Sequence, residues 1–240
     1  IMSLVVKEIK NIKYIEEGDG PPILLLHGLF GALSNFKEVI EQFKVNYRVI
    51  VPMLPIYSLP LTSTGIGGLV KFMNKFISQM GLSEMILLGN SLGGHVALAY
   101  TLKYSKNIKA LILTGSSGLY ENTLGGTYPK RGDYNFIKEK TEYTFYDPNT
   151  ATKELVDEVY DIVNTRDKAI RVIALSRSAM RNNLSKELCK VTVPVSLIWG
   201  KEDNITPAFV AQEFHELLPN SELNYIDKCG HAAMMEKPLE

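Results

Sequence analysis

Met85-Ile-Leu-Leu-Gly-Asn-Ser-Leu-Gly-Gly94 is the stretch that decides the fold of this 240-residue chain. The four residues from Met85 to Leu88 form a short apolar run of the kind that fills a buried strand. Beyond the glycines, apolar residues continue at helical spacing, namely Val96, Ala97, Leu98, Tyr100 and Leu102. The pattern therefore predicts that Ser91 lies on a sharp turn from a strand into a helix.

Gly89 to Gly93 fit the pattern G-x-S-x-G in the strand-to-helix context of a nucleophile elbow. Such a turn strains the serine backbone and leaves no room for side chains at the two glycines. It lifts the Ser91 hydroxyl clear of the sheet and points the Leu92 amide to where a negative oxygen would form. We therefore predict Ser91 as a nucleophile and Leu92 as an oxyanion donor.

The composition, 45% hydrophobic and 22% charged, is typical of one sizeable globular domain. Lys and Arg number 26, as do Asp and Glu, and this balance disfavours nucleic acid or an anionic membrane as a partner. The N-terminus lacks a signal-peptide layout, and no apolar run approaches the roughly 20 residues of a membrane span. Cys189 and Cys229 favour a reducing compartment, although a bridge between them stays open. We expect a soluble cytoplasmic protein, a monomer or homodimer, that acts on a small molecule.

Strands alternate with helices along most of the chain, which predicts an α/β fold with a mostly parallel central sheet and helices on both faces. Two short strands within 5–16 are expected to form an antiparallel pair at the sheet edge. The alternation stops between 119 and 192, where charged helical segments predict an inserted helical cap. The core would then comprise residues 1–118 and 193–240.

Four loops with polar or glycine residues follow four predicted strands: His27–Gly31, Asn90–Leu92, Gly200–Asp203 and Cys229–His231. Because the carboxyl ends of parallel strands meet at one edge of a sheet, we expect these loops to converge on one site. The cap would lie over that edge.

A serine nucleophile needs a base, and the chain has four histidines. We expect His27 to brace its turn, His95 to point away from Ser91, and His215 to be solvated in a charged helix. His231 follows the last strand in a loop after a glycine. We predict His231 as the base.

The base in turn needs an acidic residue that orients it. Asp203 is the preferred candidate because it hangs from an independent strand end. Glu202 and Asp227 are its rivals, and the spacing of Asp227 to His231 fits a local surface contact instead.

The second oxyanion amide is expected from the loop after the His27 strand, at Leu29, with Phe30 as the alternative. Phe30, Asn90 and Met234 are the predicted substrate contacts because they lie near the predicted site along the chain. Methionine adapts to irregular apolar shapes, so Met234 favours a hydrophobic substrate.

Four motifs carry a family resemblance: His27-Gly28, Gly89-Asn90-Ser91-Leu92-Gly93-Gly94, Trp199-Gly200-Lys201-Glu202-Asp203 and Cys229-Gly230-His231. In this order they resemble the α/β-hydrolase superfamily, whose triad follows the order Ser, Asp, His. The resemblance covers the chain outside the cap. It implies Ser91 as nucleophile, His231 as base and Asp203 as acid, with no metal and no cofactor.

Asn90 before the serine and the Cys-Gly-His run are similar to the meta-cleavage-product C–C hydrolases and also to small esterases. The chain departs from the C–C hydrolases at Ala232, where they usually carry an aromatic residue. Those enzymes also hold a substrate carboxylate with a cap arginine. Arg177 or Arg181 would be the counterpart, although a solvated helix face is the preferred interpretation.

We therefore predict hydrolysis of a carboxylic ester, or a related acyl bond, of a small to medium apolar substrate through an acyl-serine intermediate. Two alternatives stay open. One is a C–C bond hydrolase of the meta-cleavage-product type, and the other is a weakly catalytic ligand receptor on the same fold.

Overall fold

One sheet organises the residues that the computed structural model describes, which are 4–31, 35–121 and 130–240. Within these residues the strands are β1 (Val6–Ile9), β2 (Ile12–Glu17), β3 (Pro22–Leu26), β4 (Arg48–Pro52), β5 (Met85–Asn90), β6 (Ile108–Thr114), β7 (Val195–Gly200) and β8 (Ser221–Ile226). Their order across the sheet is β1-β2-β4-β3-β5-β6-β7-β8.

The strands β4, β3, β5, β6, β7 and β8 run parallel, whereas β1 pairs with β2, and β2 with β4, in antiparallel register. The predicted antiparallel edge and mostly parallel sheet are therefore confirmed. Leu24, Leu25 and Leu26 of the central strand β3 are fully buried, because helices cover both faces. The carboxyl ends of β3 and β5 to β8 lie along one edge, where sites in such sheets open.

The helices in the described ranges are α1 (Lys37–Phe43), α2 (Ile66–Met80), α3 (Leu92–Lys103), α4 (Tyr134–Glu142), α5 (Lys153–Asn164), α6 (Arg166–Arg181), α7 (Ala208–Leu217) and α8 (Ala233–Glu236). Apolar residues at spacings of three and four give α2 its buried stripe. That stripe joins the large core cluster with α3 and α7, which includes Met73, Val96 and Phe214. Phe36 and Ile40, on the other face, pack with residues of β3 and of α8.

Helices α4, α5 and α6 follow β6 and precede β7, within the predicted cap segment. Ile137, Val159 and Val163 form a small apolar cluster between α4 and α5. Helix α4 ends at Glu142, and shortly beyond it Phe145 is buried against the core.

The chain enters and leaves this helical segment at adjacent points. The Leu184 N–H donates to the Gly118 carbonyl at 2.8 Å, and the Asn183 side chain donates to the Leu119 carbonyl at 3.1 Å. The stretch that leads into α4 to α6 is thus hydrogen-bonded to the stretch that leads out of them. The domain limits at 118 and 193 stay a prediction.

A shallow groove of about 520 Å³ opens on the sheet face that carries α1 and α8. Its lining includes Ile86, Ala110, Ile112 and Ser196. The groove lies away from the carboxyl edge of the sheet. It includes residues of β5 and β6, the strands whose carboxyl ends are Asn90 and Thr114. In the described ranges, no helix combines the length and hydrophobicity that crossing a bilayer requires.

Candidate active site

The turn between β5 and α3 holds Ser91 in a rare backbone conformation, with φ 55° and ψ −120°. Such a conformation costs on the order of 1–3 kcal/mol and persists only where the surroundings impose it. Here the Ser91 N–H donates to the Thr114 carbonyl at 3.3 Å. The Ser91 carbonyl accepts the N–H groups of Gly94 and Ser117, both at 3.0 Å. The backbone of the predicted nucleophile is therefore fixed from β6 and from its own helix.

The start of α3 approaches the end of β3 so closely that a side chain is excluded. A Cβ atom at Gly93 would overlap the carbonyl oxygens of Leu26 and His27. This is the physical requirement behind the last glycine of the G-x-S-x-G pattern. The contact places the His27–Gly31 loop beside Ser91.

His27 braces that loop, as predicted. Its Nδ1 donates to the Gly28 carbonyl at 2.8 Å, and its Nε2 accepts the Leu54 N–H at 3.0 Å. Burial lowers the pKa of His27, which agrees with a neutral ring that donates once and accepts once.

His231 and Asp203 meet side by side. The His231 Nδ1 lies 2.9 Å from Asp203 Oδ2 and 3.1 Å from Oδ1, and the side chains are only 8% and 0% exposed. An Nδ1–H that donates to the carboxylate leaves the other ring nitrogen, Nε2, unprotonated and able to accept a proton.

The Asp203 carboxylate is saturated with donors. Its Oδ1 accepts the N–H groups of Ile205 and Thr206 at 2.8 and 2.9 Å, and its Oδ2 accepts the Thr206 hydroxyl at 2.9 Å. The Thr206 Oγ1 also lies 3.2 Å from His231 Nδ1. Sequence reasoning missed Thr206. The signal was an Asp-x-x-Thr turn directly after a strand, in which an aspartate binds the backbone two and three residues on.

The two rival carboxylates lie elsewhere. Glu202 accepts the Cys229 N–H at 3.0 Å, and Asp227 pairs with Lys201 at 2.6 Å with 75% of its side chain exposed. Neither is bonded to the His231 ring. The structure thus places Asp203 where the prediction needs it.

Asn90 ties the His231 loop to the elbow. Its Nδ2 donates to the Thr114 carbonyl at 3.0 Å and to the His231 carbonyl at 3.1 Å, and the residue is 1% exposed. The substrate contact expected at Asn90 stays a prediction, while both amide hydrogens are bound to backbone carbonyls. The same bonds bring the ends of β5, β6 and β8 together beside Ser91.

The helical segment also holds the His231 loop. The His231 N–H donates to the Thr144 carbonyl at 2.9 Å. Glu236 of α8 accepts the N–H of Gly230 at 2.8 Å and those of Tyr146 and Asp147 at 3.0–3.1 Å. Thr144 and Glu236 were also missed, since these contacts join residues up to 90 positions apart and no local pattern announces them.

The expected second oxyanion loop is well anchored. Leu29 is 3% exposed, and its carbonyl accepts the Tyr57 hydroxyl at 3.0 Å, which fixes the peptide unit that contains the Phe30 N–H. Phe30 is partly buried and packs against both the main core and the α4–α5 cluster. It therefore lies at the junction between the core and the helical segment.

Met234 does not face this junction. It is 5% exposed and packs with Ile23, Leu25 and Ala232 beneath the sheet. That it contacts substrate stays a prediction, and the described side chain packs in the core cluster.

His95 belongs to a second buried cluster. Its Nδ1 lies 3.3 Å from the Ser117 hydroxyl and 3.8 Å from Glu121 Oε1, and its Nε2 lies 2.9 Å from the Asn182 carbonyl. Burial lowers the pKa of His95 to about 4. It points away from Ser91, as predicted.

His215 differs from the expectation of a solvated side chain. Its Nδ1 bonds the Ser221 hydroxyl at 2.9 Å, at the amino end of β8 and thus at the far edge from His231. The turn from α7 into β8 brings these two residues together.

The two cysteines are free thiols, with Cys189 exposed and Cys229 buried. Burial raises the pKa of Cys229 to about 12, so this thiol beside His231 is no rival nucleophile. Within 4–31, 35–121 and 130–240, no three His, Cys, Asp or Glu side chains are grouped to hold a metal ion.

A strained serine, a buried His–Asp pair and the order of the strands that carry them are the features of one known family. The sequence profile of the alpha/beta hydrolase fold matches residues 21–169. This chain belongs to the alpha/beta hydrolase family, and it is a hydrolase.

Known members of the family are similar over almost the whole chain. A solved alpha/beta hydrolase enzyme from the metagenome of sediments from the lagoon of Mar Chica, Morocco, is 42% identical, with a TM-score of 0.81, over 98% of this chain and 92% of that one. The 2-hydroxy-6-oxo-6-(2'-aminophenyl)hexa-2,4-dienoic acid hydrolase of Metapseudomonas resinovorans is 29% identical over 94% of this chain and 83% of its own. Lipase 1 of Psychrobacter immobilis is 25% identical over 98% and 80%. The relatives thus include both of the reaction types weighed from the sequence.

Proposed function

We propose that this protein is a serine-dependent, carboxylesterase-type hydrolase that cleaves esters or related acyl bonds of apolar substrates. The observation that carries the proposal is the buried contact of His231 Nδ1 with Asp203, on the loops that flank Ser91. A histidine held through Nδ1 offers Nε2 to a serine hydroxyl, which by itself is a weak nucleophile.

In the proposed reaction, His231 Nε2 removes the proton as the Ser91 Oγ attacks the carbonyl carbon of the substrate. The N–H of Leu92 and an N–H of the Leu29–Phe30 loop hold the oxyanion, and each such donor lowers the barrier by roughly 3 kcal/mol. His231 then protonates the leaving alcohol, and Asp203 stabilises the imidazolium in between. Water activated by the same histidine clears the acyl-serine.

An apolar acyl group fits the residues at the core–cap junction, where Phe30 meets the α4–α5 cluster. Arg177 and Arg181 are exposed on α6, as a solvated helix face would be. This arrangement favours esters over a substrate carboxylate. The C–C bond hydrolase stays the second candidate because a relative with that activity is 29% identical.

The test is hydrolysis of p-nitrophenyl esters from acetate to decanoate by the wild type and by Ser91→Ala. We expect kcat to fall by about 10⁴-fold or more in Ser91→Ala. Ser78→Ala, an exposed serine on α2, is the matched control and is expected to retain full activity. Ester turnover that survives Ser91→Ala would contradict the proposal.

A yellow dienoate substrate, followed by its loss of absorbance, distinguishes the two candidates. Ser91-dependent turnover of the dienoate with a higher kcat/KM than any ester would assign the C–C bond reaction instead. Ligand binding without turnover of either class would favour the receptor.

A further inference from the structure

The carbonyl of Ser91 and the N–H of Leu92 belong to one peptide unit. Because a peptide unit is planar and trans, whatever fixes the direction of its carbonyl also fixes the direction of its N–H. The Ser91 carbonyl accepts the Ser117 N–H at 3.0 Å, besides the two bonds from α3. Ser117 therefore helps to set the orientation of the Leu92 N–H, the proposed oxyanion donor.

Ser117 is itself held by Glu121. The Ser117 hydroxyl donates to Glu121 Oε1 at 2.5 Å, and the Gly118 N–H donates to the same oxygen at 2.6 Å. The Glu121 side chain is only 6% exposed, and its Oε2 has no hydrogen-bond partner within the described ranges. Burying a carboxyl oxygen without a hydrogen bond costs folding free energy, so the position of Glu121 calls for an explanation. The proposed mechanism makes no use of this residue.

The same cluster contacts both the entry and the exit of the helical segment that holds α4 to α6. His95, on α3 one turn after Ser91, lies 3.3 Å from the Ser117 hydroxyl and bonds the Asn182 carbonyl at the end of α6. Gly118 accepts the Leu184 N–H. The peptide that carries the oxyanion donor is thus connected, bond by bond, to the base of the cap.

We propose that Glu121 is a positioning residue for the oxyanion hole. It holds Ser117 and Gly118 so that the Ser117 N–H keeps the Ser91–Leu92 peptide in the orientation that the oxyanion requires. Donation to the Ser91 carbonyl also polarises the peptide and strengthens its N–H as a donor. The inference rests on the proposed serine-hydrolase function.

The first test replaces Glu121 and measures ester hydrolysis together with inhibition by phenylboronic acid, whose serine adduct resembles the tetrahedral intermediate. Deleting an oxyanion donor costs 10²–10³-fold in kcat, so a donor that is retained but misoriented should cost less, about tenfold, in Glu121→Ala. We expect KM to stay within about twofold and the boronate Kd to rise about tenfold, because only the transition state uses the donor.

Glu121→Gln is the conservative variant, since its amide oxygen accepts the same two bonds. We expect it to recover most of kcat and of the boronate affinity. Ser117→Ala keeps the N–H but removes the hydroxyl bond to Glu121, so it should lower kcat and boronate affinity in the same way. It serves as the second variant if Glu121→Ala does not fold.

Thr101→Val is the matched control. Thr101 is buried on the same helix, α3, and among the described residues its hydroxyl bonds the Ala97 carbonyl of that helix alone. This variant is expected to lose stability without any change in kcat or boronate affinity.

The outcomes separate the two proposals. If wild-type turnover does not depend on Ser91, the proposed function fails and the inference fails with it. If turnover depends on Ser91 while Glu121→Ala and Ser117→Ala match Thr101→Val in kcat and boronate affinity, Glu121 is a structural residue only and this inference alone is overturned.

Discussion

Two buried histidines of this protein each lie beside a carboxylate, and only His231 is the proposed catalytic base. His231 is 2.9 Å from Asp203, whereas His95 is 3.8 Å from Glu121, and all four side chains are at most 8% exposed. Asp203 accepts three further hydrogen bonds that engage both oxygens. Glu121 accepts two on one oxygen, and the other oxygen finds no partner among the described residues.

The difference teaches that proximity of a histidine to a carboxylate is a poor criterion for a catalytic pair. Burial lowers the pKa of His95 and raises that of Glu121, so both neutral forms are favoured in that cluster. The three donors around Asp203 supply the hydrogen bonds that stabilise a charged carboxylate away from water. The hydrogen bonds of the carboxylate therefore distinguish the proposed base, His231, from His95.

The sharpest test of this comparison replaces each histidine by glutamine. His231→Gln should lower kcat by roughly 10⁴-fold or more, because no other group can take the Ser91 proton. His95→Gln should cost about tenfold at most, since it disturbs only the cluster around Ser117. Steady-state ester hydrolysis measures both. Equal losses in the two variants would abolish the distinction drawn between the pairs.

The pH dependence of stability probes the second pair. Folding lowers the pKa of His95 from 6.5 to about 4, so the folded state binds fewer protons between these values. Stability is therefore lost as the pH falls from 6.5 to about 4, by about 3 kcal/mol of unfolding free energy. Urea unfolding at pH 7, 5.5 and 4 should show this loss in the wild type and its absence in His95→Gln.

Glu121 acts with the opposite sign, since its raised pKa makes stability fall as the pH rises from 4.5 through the raised value. It is present in both proteins, so the difference between them reports His95. Parallel pH profiles for the two proteins would show that His95 does not titrate as inferred.

Substituting two glycines by alanine tests how closely the backbone packs against each histidine. Gly115 and Gly118 both have positive φ, 51° and 122°, so alanine is strained at each. A Cβ at Gly115 would lie 2.8 Å from His231 Nδ1 and 3.1 Å from Asp203 Oδ2, whereas one at Gly118 would lie 3.8 Å from His95 Cδ2. We expect Gly115→Ala to lower kcat about 30-fold because it displaces the His231–Asp203 pair. Gly118→Ala should cost about tenfold at most because it disturbs only the cluster around Glu121 and Ser117.

Thermal unfolding of the two alanine variants provides the control, because the shared backbone strain should lower the Tm of both. If Gly118→Ala lost as much kcat as Gly115→Ala, strain rather than displacement of the His231 pair would explain both losses.

The smallest expected effect concerns Thr206. Thr206→Val removes the hydroxyl that donates to Asp203 Oδ2, and the loss of one such bond should lower kcat/KM about fivefold. Thr206→Ser retains the hydroxyl and should recover most of the activity. An unchanged kcat/KM in Thr206→Val would show that the two backbone donors alone suffice for Asp203.

The sheet was predictable, and so was the position of Ser91, Asp203 and His231 at one edge of it, because each residue follows a strand whose apolar pattern is plain in the sequence. Strand direction then brings their loops to one edge without any knowledge of side-chain contacts. Met234 shows the limit of this logic, because closeness along the chain does not determine the face of α8 on which a side chain lies, and Met234 packs in the core.

The supporting residues were beyond sequence reasoning for a different reason. Glu121, Thr144 and Glu236 act through bonds to backbone groups that are distant in sequence or shaped by a turn. Any acceptor of suitable reach can serve in such a bond, so residue type and spacing carry little information. Asn90 shows the same limit. The sequence does not tell whether the amide beside the nucleophile binds a ligand or a backbone carbonyl.

The hydrogen bond between Leu184 and Gly118 also has an evolutionary consequence. Because the ends of the helical segment meet side by side, we expect that its removal or exchange would leave the ends of β6 and β7 where they are. Loop closure between such ends costs little and depends only weakly on the length of what is inserted. A gene for this fold can therefore acquire helices of new shape at this point without moving β6 and β7.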